Sequence, residues 1–178
     1  MVSSETFARE SSCWQTDLVA GLRPKQRTAD GAEERGVGKV METVKVTNDY
    51  DLTLAEAGAL DPDKVRTVEV EALIDTGATM LMLPADVVAR LGVAIKGYRK
   101  VRYADSRVEE VPLVGGIKIE IRGREAFVSA LVGPAGSMPL VGQIPLEEMD
   151  FVVDPKSREL RPNPASPDAP LLDLLRVA

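Results

Sequence analysis

The sequence predicts a mainly β protein, a small closed-barrel-like domain of short antiparallel strands with one or two short helices. Two observations lead to this prediction. Short runs of alternating apolar and polar side chains recur along the chain, separated by Gly, Pro, Asn or Asp, which is the pattern of half-buried strands joined by turns. Aromatic residues make up only 4% of the chain, so the core is expected to consist of Val, Leu, Ile, Ala and Met.

The length of 178 residues suits one domain with a flanking segment at each end. Residues 1–39, rich in Ser, Glu, Arg, Gly and Ala, are expected to form a flexible N-terminal arm. The alternative is a pro-segment removed by self-cleavage. Residues 40–161 are predicted to form the domain. Residues 162–178 are predicted to be a Pro-rich C-terminal tail, since four prolines fall between residues 161 and 170.

The strands are predicted to begin with residues 41–47 and 52–57, joined by a turn at Asn48-Asp49-Tyr50-Asp51. A loop over 58–63 leads to a strand at 68–74, whose alternation indicates that one face is buried. This strand ends at an aspartate, Asp75.

A short helix is predicted at 84–92, after a second apolar strand at 80–83. Pro84 suits the first helical position and Gly92 the left-handed C-terminal cap. Gly115-Gly116 is expected to break the chain later on, and 144–149 to form another short helix. Three hairpins complete the domain, with arms at 98–103 and 108–113, at 117–121 and 126–132, and at 151–153 and Leu160.

The composition excludes several classes of function. The net charge of −6, with Lys and Arg spread along the chain, argues against nucleic acid as a partner. The absence of histidine excludes Ser-His-Asp and Cys-His hydrolases and every metal site that needs imidazole. A single cysteine excludes an internal disulfide and a Cys-rich zinc site. An enzyme of this composition would use carboxylates, hydroxyls, Lys, Tyr or a borrowed cofactor.

The sequence contains no apolar run long enough to span a membrane, and its N-terminal segment lacks the apolar region of a signal peptide. A single cysteine suits a reducing compartment. We therefore expect a cytoplasmic protein without a membrane partner.

The chemistry is expected at the turn Asp75-Thr76-Gly77-Ala78-Thr79. A carboxylate at the end of an apolar strand is costly unless it is hydrogen-bonded, paired or partly protonated. Backbone N–H groups and the hydroxyls of Thr76 and Thr79 are available nearby. Gly77 is expected to permit a backbone conformation that a side chain would obstruct.

This turn, preceded by Ala-Leu-Ile and followed by an apolar strand, resembles the active-site turn of aspartic proteases, in particular the single-lobe, retropepsin-like branch. The resemblance implies a homodimer in which each chain contributes one Asp-Thr-Gly turn at a two-fold axis. Asp75 would then be catalytic, and Thr76, Gly77, Ala78 and Thr79 would support the turn.

Two further segments carry the resemblance. The tip of the hairpin after the predicted helix corresponds to the flap that closes over substrate, and the residues involved are Tyr103, Ala104, Asp105 and Ser106. A second signature, two apolar residues before a glycine, crosses behind the turn in the family and is found here at Leu140, Val141 and Gly142. Retroviral members place an Arg after that glycine and pair it with an Asp, but this chain has Gln143 and Thr79 at these positions.

The resemblance implies an aspartic endopeptidase in which Asp75 and its symmetry mate activate a water that attacks a peptide bond. The implied partners are a second copy of the chain and a polypeptide substrate. No metal and no cofactor are implied. Two alternatives stay open: a non-catalytic retropepsin-like dimer that binds or scaffolds peptides, and an unrelated β protein with a chance Asp-Thr-Gly turn.

Overall fold

Strands form most of the fold in the computed structural model, which describes residues 39–103, 105–154, 157 and 159–172. The predictions for residues 1–38, for Ala104 and for the last six residues fall outside these ranges. The strands are β1 Val40–Asn48, β2 Thr67–Ile74, β3 Leu81–Pro84, β4 Ile95–Arg102, β5 Val108–Ile121, β6 Arg124–Gly133, β7 Leu140–Val141, β8 Phe151–Asp154 and β9 Glu159–Pro162. The helices are α1 Asp49–Glu56, α2 Ala85–Leu91 and α3 Gln143–Glu148, with a single 3-10 turn at Pro62–Lys64.

The strands pair into a ring. Its order is β1-β2-β7-β3-β6-β5, and β5 pairs with β1 to complete it, while β4 pairs only with β5 outside the ring. The predicted mainly β class is confirmed. The expectation of antiparallel pairing holds except at two places, β2 with β7 and β3 with β6, which pair in parallel. The first arises because β7 inserts between β2 and β3, and the second joins two strands that are separated along the chain by α2, β4 and β5.

The core fills the ring with aliphatic side chains, as the low aromatic content predicts. Alternate residues of β1 and β2 point inward, among them Val44, Val46, Val68 and Ala72, and each is almost fully buried. Phe151 is the aromatic residue that joins this cluster in the described part of the chain. Burying each of these aliphatic side chains contributes on the order of 1.5–3 kcal/mol before the entropy of ordering is subtracted.

The predicted strand over 52–57 is wrong, because these residues belong to helix α1. Asn48 caps the helix: its side-chain oxygen accepts hydrogen bonds from the backbone N–H groups of Tyr50 (3.0 Å) and Asp51 (3.2 Å). The Asp51 carboxylate is then bound by Arg66 through two side-chain hydrogen bonds of 2.6 and 2.7 Å. These contacts outweigh the short alternation of Leu52 and Leu54 that favoured a strand.

The predicted break at Gly115-Gly116 is also wrong, because β5 runs without interruption from Val108 to Ile121. The two glycines form a bulge at which the pairing shifts between Val114 and Ile117. Gly116 has φ +72°, and the ring of Tyr50 occupies the space into which a Cβ would project. One strand therefore carries both the outer hairpin and part of the core.

Other predicted elements are confirmed with small shifts of their ends. Helix α2 ends at Gly92 in the left-handed conformation, φ 60°, and Pro84 is its N-cap instead of its first helical residue. The three predicted hairpins are β4–β5, β5–β6 and β8–β9. The second predicted helix is α3, which begins one residue earlier than expected.

The segment after β9 is hydrogen-bonded to the domain through Asp150. The carboxylate of this residue accepts from Asn163 Nδ2 (2.9 Å), from the Leu171 N–H (3.0 Å) and from Ser166 Oγ. Arg124, whose side chain is 7% exposed, donates to backbone carbonyl groups on both sides, those of Met149, Asp150, Ser166 and Pro167. The expected Pro-rich tail is thus fixed to the domain as far as Leu171.

Candidate active site

Asp75 lies directly after the last residue of β2 and is partly exposed. Its backbone N–H donates to the Val141 carbonyl at 3.0 Å, so the start of the turn is fixed to β7. On the other side of β2, Val40 at the start of β1 pairs with Ile74. The aspartate therefore leaves the ring from a strand that is paired on both sides.

The turn closes on the Asp75 side chain. The Gly77 N–H donates to Asp75 Oδ1 at 2.9 Å, and the Ala78 N–H donates to the Asp75 carbonyl at 3.1 Å. A Cβ on Gly77 would lie 3.1 Å from Asp75 Oδ1. The expectation for Gly77 needs a correction, because its backbone is not among the glycines with positive φ. Gly77 instead leaves room for the carboxylate, which a side chain at this position would crowd.

The second signature lies between the two strands that flank the turn. Leu140 and Val141 form β7, which pairs in parallel with Leu73 and Ile74 of β2 and antiparallel with Met82 of β3. The two segments are therefore neighbours, as the resemblance implies.

Gly142 follows β7 where no side chain fits. A Cβ on this residue would lie 2.6 Å from the Met80 carbonyl oxygen and 2.7 Å from that of Ala78. Both neighbours are backbone atoms of the turn, so neither can rotate away. Gly142 is thus the contact at which the second signature meets the end of the Asp75 turn.

The exit of the turn is fixed to α3. The Gln143 N–H donates to the Ala78 carbonyl at 2.8 Å, and the Ile144 N–H donates to the Thr79 carbonyl at 3.0 Å. The side chain of Gln143 is bonded to Glu147 at 2.7 Å. The first turn of α3 thus stabilises the loop through backbone groups, at the two positions where retroviral members carry the Arg–Asp pair.

The two threonines of the turn, Thr76 and Thr79, are exposed, and Ala78 is partly buried. The side chains of both threonines are accessible to solvent. The support that Thr76 is expected to give across a two-fold axis stays a prediction.

The predicted flap is the end of the β4–β5 hairpin. The Tyr103 N–H donates to the Arg107 carbonyl and the Ser106 N–H to the Tyr103 carbonyl, both at 2.9 Å, and Ser106 has φ 65°. Arg107 Nε contacts Asp105 at 2.5 Å, which holds the pKa of that carboxyl below its usual value. Burial, followed by the charge of Glu109, raises the pKa of Tyr103. Among the described residues, no hydrogen bond joins this tip to the Asp75 turn.

A protein-family model described as "gag-polyprotein putative aspartyl protease" matches residues 64–155. The chain belongs to this family. The matched residues include the Asp75 turn, the hairpin tip and the second signature. No curated protein matches the sequence.

The mainly β fold with its ring of strands is compatible with this retropepsin-like aspartyl protease family. The match begins at residue 64, after β1 and α1. Strand β1 nevertheless pairs with the whole of β2, from Thr47 opposite Thr67 to Val40 opposite Ile74. The folded aspartyl protease domain therefore starts before the matched segment.

The described part of the chain contains two cavities of different size. One of about 380 Å³ lies between β1, α1 and the 3-10 turn, and another of about 210 Å³ lies beside α3. Neither is lined by Asp75. The lysines of the larger cavity are paired, Lys45 with Glu120 at 3.6 Å and Lys118 with Glu125 at 2.6 Å.

Within the described ranges, no cluster of carboxylates or cysteines has the arrangement of a metal site. The same residues include no helix that is long and apolar enough to cross a membrane.

Proposed function

We propose that the protein is an aspartic endopeptidase that acts as a homodimer, with Asp75 and its symmetry mate as the catalytic pair. The supporting observation is the position of Asp75, at the end of a core strand and in a turn held by Val141, Gly77 and the first turn of α3. A carboxylate held in this way is pre-organised for catalysis. The family to which the chain belongs supports a protease function.

The chemistry requires both chains, because one aspartate cannot serve as base and acid at the same time. Two carboxylates at close range share one proton and titrate as a coupled pair. The ionised member removes a proton from a water, whose oxygen forms a bond to the peptide carbonyl carbon. The protonated member donates its proton to the carbonyl oxygen. The C–N bond then breaks as the carboxyl that took the water proton gives it to the departing nitrogen, which leaves as an amine. The other carboxylate takes a hydroxyl proton from the tetrahedral intermediate, so the product is a carboxylic acid and the pair again shares one proton.

The remaining residues would prepare and cover this pair. Thr76 would bond to the turn of the second chain and hold the two carboxylates coplanar. Gly77 would allow the substrate backbone to approach. The hairpin tip with Tyr103, Asp105 and Ser106 would close over the bound polypeptide and exclude water.

The test is hydrolysis of a diverse peptide library by the purified full chain between about pH 3 and 7, the range set by carboxylate pKa values. Asp75→Asn should abolish cleavage, because the amide can neither accept nor supply the proton. Asp61→Asn is the matched control: Asp61 also accepts from the N–H two residues later, at 3.1 Å, but it lies in the exposed turn before Lys64. It should cleave like the wild type.

The oligomeric state separates the possible outcomes. Sedimentation should show a dimer whose cleavage falls on dilution, since the site needs two chains. A folded dimer that cleaves no peptide would contradict the enzyme and favour a non-catalytic binding module. A folded monomer would remove the second carboxylate and with it the mechanism.

A further inference from the structure

An open groove lies next to the Asp75 turn, between β6, α3 and the residues that lead into β3. Its cavity of about 210 Å³ is lined by side chains that include Met80, Phe127, Ile144 and Glu148. Met80 directly follows Thr79, whose carbonyl accepts from the Ile144 N–H at 3.0 Å. The groove is therefore continuous with the end of the turn.

The groove exposes large apolar side chains. Phe127 is 58% exposed and Ile144 is 48% exposed, and they share this surface with the partly exposed Met80. Neighbouring apolar side chains that remain in water gain free energy when another apolar group covers them.

Along its first part, β6 pairs with a strand on one side only, and α3 packs near the other side. Strand β5 pairs with β6 from Arg124 onward, whereas β3 pairs with it only from Ala130 to Gly133. The Phe127 N–H points away from β5 and donates to the Glu148 carboxylate at 2.9 Å. This carboxylate occupies the place where the carbonyl of a further strand would accept.

We propose that this groove binds an extended segment of the polypeptide substrate, away from the bond that is cleaved. The segment adds to the β6 edge, its carbonyl replacing Glu148 as acceptor for the Phe127 N–H. One of its large apolar side chains covers Phe127 and Ile144. Backbone hydrogen bonds then give affinity for any extended chain, and the apolar pocket gives the preference for sequence. This inference rests on the proposed function, which supplies the polypeptide.

Binding can be measured without catalysis by NMR on the full-length Asp75→Asn chain labelled with ¹⁵N. The probes are an extended peptide that alternates Leu with Thr and a counterpart with Ser in place of Leu. The Leu peptide should shift the amide signals of Phe127 and Ile144 as it is titrated. The Ser peptide should bind with about tenfold lower affinity, as expected for one lost apolar contact.

A matched pair of variants locates the contact. Ile144→Ser should weaken binding of the Leu peptide about tenfold. Leu54→Ser should leave it unchanged, because Leu54 has the same exposure of 48% but lies on α1. Equal affinity of the two peptides, equal effects of the two variants, or shifts only at other residues would overturn the proposal. Shifts of Phe127 that follow protein concentration without peptide would assign the groove to a second copy instead.

Cleavage gives the second measurement. In the active chain, kcat/KM should be higher for library peptides that carry a large apolar residue remote from the cleaved bond than for peptides that lack one. The ratio of these two kcat/KM values should fall towards one in Ile144→Ser. It should keep its wild-type value in Leu54→Ser. If no peptide is hydrolysed, the proposed function fails, while the NMR result still decides whether the groove binds an extended chain. If hydrolysis occurs but the ratio is one in the wild type, the groove proposal alone fails.

Discussion

Gly142 packs directly against the backbone at the end of the Asp75 turn. It is therefore needed for close packing and not for an unusual backbone conformation. Its neighbours are the carbonyl oxygens of Ala78 and Met80, and the Ala78 carbonyl also accepts from Gln143. A side chain at this position would push the turn away from α3 and break that hydrogen bond. The position of the Asp75 turn therefore depends on a residue that has no side chain of its own.

Gly142→Ala should lower the free energy of unfolding by about 1–3 kcal/mol, the range for inserting a methyl group into a packed site. The matched control is Gly115→Ala, where a Cβ would lie 3.3 Å from the flexible Lys96 side chain. That variant should stay within about 1 kcal/mol of the wild type. Urea denaturation of the three proteins checks the prediction, and equal stability of the two variants would contradict it.

At the level of single residues, the sequence indicates Asp75 and Gly142 because each belongs to a local sequence pattern. For Asp75 the pattern is Asp-Thr-Gly after an apolar strand, and for Gly142 it is a glycine after two apolar residues. The reason for Gly77 is not visible, since it depends on where the Asp75 carboxylate turns. No sequence pattern identifies the backbone carbonyl groups of Ala78 and Thr79 as the acceptors that bind α3. Backbone acceptors are present in every residue, and only the fold selects which ones are used.

Helix α1 shows how a single cap can decide the structure of an element. The alternation of Leu52 and Leu54 favoured a strand, but Asn48 caps a helix and also donates through Nδ2 to the Leu91 carbonyl at 2.9 Å. The partner of Asp51 is Arg66, fifteen residues later. A short stretch of sequence does not reveal contacts between residues that are so far apart. Helix α2 could be predicted because its capping residue, Gly92, directly follows it in the sequence.

Asn48→Ala should lower the free energy of unfolding by about 2 kcal/mol, the upper end for a lost N-cap, because Asn48 is buried and its loss also leaves the Leu91 carbonyl without this donor. Asp61→Ala removes a cap from the exposed turn Pro62–Lys64 and should cost about 0.5 kcal/mol. Thermal unfolding of both variants tests the difference. A loss in Asn48→Ala no larger than that in Asp61→Ala would show that α1 does not depend on its cap.

For the whole molecule, the ring of strands could be predicted in outline, because its hairpins are local and each has its own turn residues. The insertion of β7 between β2 and β3 was not predicted, because the family resemblance implied only that this segment crosses behind the turn. The attachment of the C-terminal segment was not predicted, since it joins Arg124, Asp150 and Ser166 from three separate parts of the chain. A run of prolines and small residues indicates an extended backbone without indicating what that backbone contacts.

This attachment should depend on pH through Asp150. Hydrogen bonds from Ser166 first, then from the Leu171 N–H and Asn163, and the nearby charge of Arg124 hold the pKa of Asp150 below its usual value. A carboxyl whose pKa is lower in the folded state stabilises that state fully above its unfolded value of about 3.9, and the contribution disappears as the pH falls through the folded value. The C-terminal segment should therefore stay attached at every pH above about 4.

Hydrogen exchange of the Leu171 amide, expressed as a protection factor and followed from about pH 6 down to pH 2, measures the attachment directly. Protection should be constant above about pH 4 and fall below it, while the amide of Val44 in the core reports on global unfolding. Asp150→Asn keeps the shape of the side chain but removes its charge, so Leu171 should be less protected than in the wild type above about pH 4 and show no step below it. A pH step of equal size in the variant would assign the effect to other carboxyl groups and contradict the role of Asp150.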